Sequence, residues 1–238
     1  FLSLFSFSRI SKKIIFHATD KQEQSDIQKY FRSSAAVYLI ENIPNSNPQW
    51  SSRNKKMGEL KCVFVSRIHP IKNLLYAINV VKGVAGCIVQ FDVYGTVEDE
   101  KYLQKCREAV ARANPHTQIN FLGPVANVNI LKMLEEYHLF FLPTQGENFG
   151  HVIFEALTSG CVVLISDKTP WKDLEQKNAG WALPLNDNRN FAQKIKEMCE
   201  MGEDELNVRS KAAFEYAKQH LLSTDLKRRY ADLFQSTD

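Results

Sequence analysis

From residue 60 onward the chain alternates short, β-branched apolar runs with amphipathic segments of helix length. This alternation restricts the fold more than any other feature, because strands separated by helices pair in parallel through crossover connections. Predicted strands are LKCVFVS (60–66), IVQFDVYG (88–95), TQINFLG (117–123), HLFFLP (138–143), CVVLI (161–165) and WALPL (181–185). Predicted helices lie between them at 73–83, 98–113, 129–137 and 150–160, with a short one at 171–177. Gly83 and Gly160 stand where two of these should stop. Helical stretches at 188–200, 203–221 and 223–235 follow without further strand signal, so the sheet should finish near residue 185. The expected fold is α/β: a doubly wound, Rossmann-like parallel sheet over residues 60–187, with 188–238 as a helical tail packed on it.

Ahead of this domain, KKIIFHAT (12–19) and AVYLIEN (36–42) read as strands flanking the polar helix DKQEQSDIQKYF (20–31). One βαβ unit cannot cover both faces of its own strands, so residues 1–45 are expected to be the end of another domain, and the chain reads as a fragment. The Pro-, Asn- and Ser-rich stretch that follows is read as a linker at 46–59. The opening FLSLFSFSRISKK puts its charges after the apolar stretch, the reverse of a secretory signal. It fits either an apolar face toward the remainder of that domain or contact with an anionic membrane surface.

Composition narrows the function. A hydrophobic fraction of 44% supplies one substantial core, and no apolar run approaches the ~18–20 residues of a membrane-spanning helix. Thirty Lys plus Arg are interspersed with 27 Asp plus Glu, so a nucleic-acid platform is not expected. The five cysteines (Cys62, Cys87, Cys106, Cys161, Cys199) sit in apolar patterns at wide spacing, as reduced core thiols of a cytoplasmic protein do.

Ligands of an open parallel sheet bind beyond the carboxyl ends of the strands, where loops lead into helix N-termini. The first such loop carries Arg67 and Lys72, two cations suited to a diphosphate or, on spacing alone, a solvated pair. The fourth loop, TQGENFG, sets Glu147 before a helix and presents the backbone N–H groups of Asn148, Phe149 and Gly150 at its start. Glu155 follows inside an apolar helical segment, where a carboxylate needs a cation, a capping role or ligand hydroxyls such as a vicinal diol. His69 and His151 lie near these loops and read as surface or capping residues; His17 and His138 read as structural, and Trp171 and Trp181 as packing residues that could neighbour a sugar.

The order S-R-I-x-x-x-K-N, V-Y-G, F-L-G-P-V, L-P-T-x-x-E-N-F-G-x-x-x-x-E-A-L-x-x-G, T-P-W-K-D-L-x-x-x-x-A-G-W over residues 60–187 resembles the donor-binding domain of retaining GT-B glycosyltransferases of the family-4 type. Residues 12–45 resemble the closing βαβ unit of the acceptor-side domain in that family. The resemblance implies that Arg67 and Lys72 bind and electrostatically activate the diphosphate of a nucleotide-sugar, UDP-sugar being the family-level expectation. Glu155 would hold the ribose hydroxyls and Glu147 would contact the donor sugar as a catalytic group. Thr144, Asn148, Phe149 and Gly150 would meet sugar and phosphate, Gly95 would lie close to the nucleotide, and Gly123, Pro124 and Val125 would line the base pocket. The family commonly has glycine where Ser66 and Asn73 stand, so a differently shaped diphosphate loop is expected.

The implied reaction is transfer of the sugar to a hydroxyl of a sugar or lipid-linked acceptor with retention, in glycan or polysaccharide biosynthesis, at the cytoplasmic side of a membrane or in the cytoplasm. No metal and no cofactor are expected. These 238 residues alone should bind donor but transfer little. Dinucleotide and P-loop enzymes are excluded, since the first βα turn reads S-R-I-H-P-I and carries no glycine. A sugar-nucleotide epimerase on the same scaffold and a non-catalytic nucleotide-sugar-binding subunit remain as alternatives.

Overall fold

The computed structural model describes residues 15–18, 21–31, 36–39, 49–111, 115–126 and 129–223. The chain divides into two compact units, residues 1–47 with 219–238, and 48–218. In the first, strands β1 (Ile15–Ala18) and β2 (Ala36–Leu39) pair in parallel around helix α1 (Lys21–Phe31), the expected βαβ unit with shorter strands. The opening segment through residue 14 and the predicted helix at 223–235, beyond its first residue, lie outside the described residues.

The second unit holds six parallel strands: β3 (Glu59–Val65), β4 (Ile88–Tyr94), β5 (Thr117–Gly123), β6 (Leu139–Leu142), β7 (Val162–Ser166) and β8 (Gly180–Leu183). Their helices are α2 (Leu74–Lys82), α3 (Glu100–Val110), α4 (Ile130–Leu134), α5 (His151–Thr158), α6 (Asn188–Glu200) and α7 (Glu203–Ser223), the last running into the first unit from Gln219. The spatial order β5-β4-β3-β6-β7-β8 is the doubly wound arrangement expected from the sequence. Every residue of β6 and β7 is buried, as covering both faces of a central parallel strand requires, whereas edge strand β5 is mostly half-exposed. Phe64, Phe91, Phe140, Phe141, Phe154 and Phe191 fill the core, and all five cysteines are buried, reduced thiols within it.

Local chemistry sets the element boundaries. Asp99 and Asp187 cap α3 and α6, accepting from the backbone N–H groups of Tyr102 (2.9 Å) and Asn190 (3.0 Å). The predicted helix at 129–137 ends at Leu134 and continues as turns bonded one residue tighter, from Glu136 N–H to Met133 O and Tyr137 N–H to Leu134 O. The predicted helix at 171–177 is not formed. One turn closes there, and Asn178 in the left-handed region (φ 55°) ends it before the chain enters β8.

The stretch read as a linker is built into the second unit where it is described. Buried Arg53 donates to Tyr137 O (3.0 Å), Ser210 Oγ (2.6 Å) and Ser159 O, the cap carbonyl of α5. Lys55 Nζ donates to the carbonyls of Lys56, Cys199 and Met201, the last two at the end of α6. Both cations thus sit at helix C-termini, where unpaired carbonyls and the helix dipole favour positive charge. Burial lowers both pKa values from their ordinary ranges, and carbonyl oxygens rather than carboxylates satisfy their protons. Replacing Arg53 with Met, which keeps the stem and strands two carbonyls, is expected to lower the unfolding free energy by about 3 kcal/mol in urea titrations. A loss below about 0.5 kcal/mol would show that Arg53 does not lock this segment to the domain.

Candidate functional site

The strand order reverses between β3 and β6, and the crevice beyond their carboxyl ends is bounded by the loops after those strands. After β3, His69 caps a 3-10 turn at Pro70–Lys72 by accepting from Ile71 N–H, and Asn73 follows in the left-handed region (φ 60°, ψ 36°). Asn tolerates this conformation better than most non-glycine residues, so the departure from glycine at position 73 is accommodated by the backbone. Ser66 is not among the positive-φ positions, so glycine is not required there.

The loop after β6 is sewn to the β3 loop. Gln145 N–H donates to Ile71 O (2.8 Å), and the wholly buried Thr144 hydroxyl lies 3.2 Å from the same oxygen and 3.0 Å from Gly146 O. Thr144 therefore organises the loop from within. Lys72 Nζ meets Glu147 Oε1 at 2.5 Å with side chains only 10% and 13% exposed, so two of the residues singled out in the sequence form a largely desolvated ion pair at the switch point.

The loop is also held from its other side. Ser166 Oγ donates to Thr144 O (2.5 Å), Glu147 N–H to Lys168 O (3.1 Å) and Trp171 Nε1 to Phe149 O (2.7 Å). Gly150 (φ 77°) precedes α5, and its carbonyl accepts from Ile153 and Phe154. A Cβ there would stand 2.8 Å from Ile153 Cδ1.

Arg67 does not join the buried pair. Its Nη1 bridges both oxygens of Glu98 (2.9 and 3.0 Å), with side chains 57% and 38% exposed. Such an exposed pair contributes ~0–1 kcal/mol, so Arg67 can be redirected to a ligand at little cost. Glu98 was not legible as a site residue. The backbone presents it through bridging of the β3 and β4 loops, with Ile68 N–H on Thr96 O and Glu98 N–H on Ile68 O.

Gly95 closes β4 with φ 153°, and a Cβ at that position would lie 1.8 Å from Ser66 O, so close approach of the two loop backbones demands glycine. Gly95 N–H also reaches Gly123 O (2.9 Å), which brings exposed Pro124 and half-buried Val125 to the same end of the sheet.

Glu155 is half-buried on α5, and its carboxylate makes no hydrogen bond or ion pair to a described residue. Neither a cation nor a capping role accounts for it. Burial pushes its pKa up from 4.5 to about 7. No group of three or more metal-ligating side chains is assembled among the described residues, and no described helix is long and apolar enough to cross a membrane.

A cavity of about 440 Å³ opens at the opposite, amino-terminal end of the strands, lined by Lys55, Glu59, Lys61, Ile88, His138 and Glu203 among others. Its inner polar groups are already satisfied. Lys55 is saturated by carbonyls, and His138 accepts from Lys61 N–H (3.1 Å) on Nδ1 and donates to Asn54 O (3.0 Å) from Nε2. Burial first, with nearby lysines, lowers His138 to about 4 and keeps it neutral.

Residues 47–215 match the family of group 1 glycosyl transferases. No curated protein matches the sequence. Among solved structures, a Staphylococcus aureus TarM variant with fondaparinux, alpha-GlcNAc-glycerol and UDP is 18% identical over 92% of this chain and 43% of its own, at TM-score 0.70. Anabaena HepE with UDP and glucose is 16% identical over 99% and 69%, at TM-score 0.68. A Rickettsia africae glycosyltransferase is 13% identical over 98% and 66%, at TM-score 0.72. These likenesses bear on the fold, that of one GT-B half, and the chain spans less than half of TarM.

The raised pKa of Glu155 makes the stability of the fold depend on pH. The folded value lies above the unfolded one, so the ionised carboxylate carries no folding penalty below about pH 4.5, an increasing one as pH rises, and the full one above about pH 7. Glu155→Gln is therefore expected to raise the melting temperature relative to wild type at pH 8 and to leave it nearly unchanged at pH 4.5. A difference independent of pH would contradict the desolvated carboxylate.

Proposed function

Because the chain belongs to the group 1 glycosyl transferases, we propose that the crevice between β3 and β6 binds a nucleotide diphosphate-sugar and serves transfer of the sugar to an acceptor hydroxyl. The observation that carries this reading is Glu155. A desolvated carboxylate without a partner among the described residues, on the helix that follows the Glu147 loop, is costly to the fold and well matched to a vicinal diol. It is the ribose-binding group in this reading.

The Lys72–Glu147 pair then serves both ends of the donor. In the free protein each ion satisfies the other; on binding, the diphosphate takes Lys72 and the released Glu147 carboxylate accepts from sugar hydroxyls. Arg67 leaves Glu98 to join Lys72 on the diphosphate, which gives the site the positive charge that the internal pair alone does not supply. As the bond from the anomeric carbon to the diphosphate breaks, the bond from the acceptor oxygen forms and the acceptor hydroxyl passes its proton to an oxygen of the departing diphosphate. Negative charge grows on the departing diphosphate, so attraction to Lys72 and Arg67 strengthens toward the transition state.

UDP as the nucleotide is supported by its presence in the TarM and HepE structures. Retention at the anomeric carbon rests on the family-4 resemblance, as does a sugar or lipid-linked acceptor at the cytoplasmic face. No metal or cofactor is needed in this reading, because Arg67 and Lys72 supply the charge. Transfer also requires a second wall that brings the acceptor to the crevice, so donor binding is the measurement that tests the reading on this chain.

Calorimetric titration with UDP-glucose, whose diphosphate does not change charge near neutrality, is expected to give a dissociation constant about tenfold weaker at pH 6 than at pH 8, as Glu155 protonates. Lys72→Ala is expected to weaken binding at least tenfold at either pH. Unchanged affinity in Lys72→Ala, or binding flat between pH 6 and pH 8, would sink these assignments.

A further inference from the structure

Trp171 shapes the Glu147 loop from behind. Trp171 lies on the connection from β7 to β8, 2% exposed, and donates its indole N–H to Phe149 O at 2.7 Å. It is not free to choose another acceptor. Its ring stands against Phe149 (5.5 Å), Phe154 (6.0 Å) and Tyr216 (5.9 Å), and Tyr216 donates to Asp173 on the same connection.

The peptide between Phe149 and Gly150 is planar and trans. In a trans peptide, C=O and N–H point in opposite directions. With the Phe149 carbonyl fixed on a buried indole, the Gly150 N–H must project away from the aromatic cluster. Among the described residues that N–H donates to no acceptor, although Gly150 itself is buried. Gly150 sits at φ 77°, which its lack of a Cβ permits, and its own carbonyl is held by the N–H groups of Ile153 and Phe154.

We propose that Trp171 is a positioning residue: its indole N–H, through the Phe149 carbonyl, aims the Gly150 N–H at the diphosphate or sugar of the donor. This rests on the donor-site reading above. The β7–β8 connection thereby acts as a template for the loop, with Ser166 and Lys168 holding its start and middle and Trp171 its end. The role is electrostatic preorganisation, in which the donor is oriented before the ligand arrives rather than by it.

The test compares Trp171→Phe, which keeps a ring and removes the N–H, with Trp181→Phe. The latter loses an indole that is equally buried but packed between Lys194 and Arg209, away from the loop. Dissociation constants are measured for UMP, UDP and UDP-glucose. Trp171→Phe is expected to weaken UDP and UDP-glucose about tenfold, the loss of one aimed donor to a charged group, while UMP changes less than about twofold. Trp181→Phe should leave the ratio of UMP to UDP affinity at the wild-type value. In the ligand-free protein, amide hydrogen exchange across residues 144–157 should accelerate several-fold in Trp171→Phe only. Equal weakening of all three ligands, or no change in any with unaltered exchange, would overturn the positioning role. Failure of the wild type to bind any of them would instead remove the donor-site reading and this inference with it.

Discussion

The Lys72–Glu147 ion pair is the interaction around which the crevice is organised. Two charges brought to roughly a tenth of their free exposure bear a desolvation cost of several kcal/mol each, which their attraction and neighbouring hydrogen bonds must offset. The geometry that allows this is prepared by uncharged contacts. Gln145 N–H and the Thr144 hydroxyl both reach Ile71 O, so the β3 and β6 loops are already joined next to the pair. A buried pair of this kind is weak evidence of stabilisation, since apolar replacements of similar volume often do as well. Under the proposed function its value is that a dianionic, hydroxyl-rich donor would replace each partner with a better one.

Glu155 shows the opposite balance. Its carboxylate destabilises the folded state at neutral pH, and no described residue compensates it. Residues that break a local rule without an internal gain are where function is to be sought. Arg53 and Lys55 differ in this respect. They are buried cations too, yet backbone carbonyls, those of Ser159, Cys199 and Met201 at helix ends among them, and the Ser210 hydroxyl hold them, and they close the domain from the side away from the crevice.

Much of the sheet was legible in the sequence because central parallel strands are buried on both faces and leave continuous apolar runs, as LFFL and VVLIS do. All six strands of the large sheet lie within a residue or two of their expected ends. Helix lengths were less legible where turns finish an element, as at Leu134 and Asn178, because hydrogen bonds one residue tighter or a left-handed residue leave little trace in hydrophobic periodicity. The crevice residues could be listed from the loops, but not their pairing: Lys72 with Glu147 is a contact across 75 positions, and Arg67 with Glu98 one across 31. The roles of Arg53 and Trp171 depend on carbonyls 106 and 22 positions away, which no local pattern announces.

The proposed function places a nucleotide diphosphate-sugar site at the carboxyl end of the β3–β6 switch point. Thermal denaturation against a panel of nucleoside diphosphates and their sugar conjugates tests it most directly, because a ligand bound only by the folded protein stabilises it in proportion to the logarithm of its concentration over the dissociation constant. The melting temperature is expected to climb with the concentration of at least one nucleotide-sugar and not to respond to the free sugar. No response to any nucleotide at millimolar concentration would contradict it.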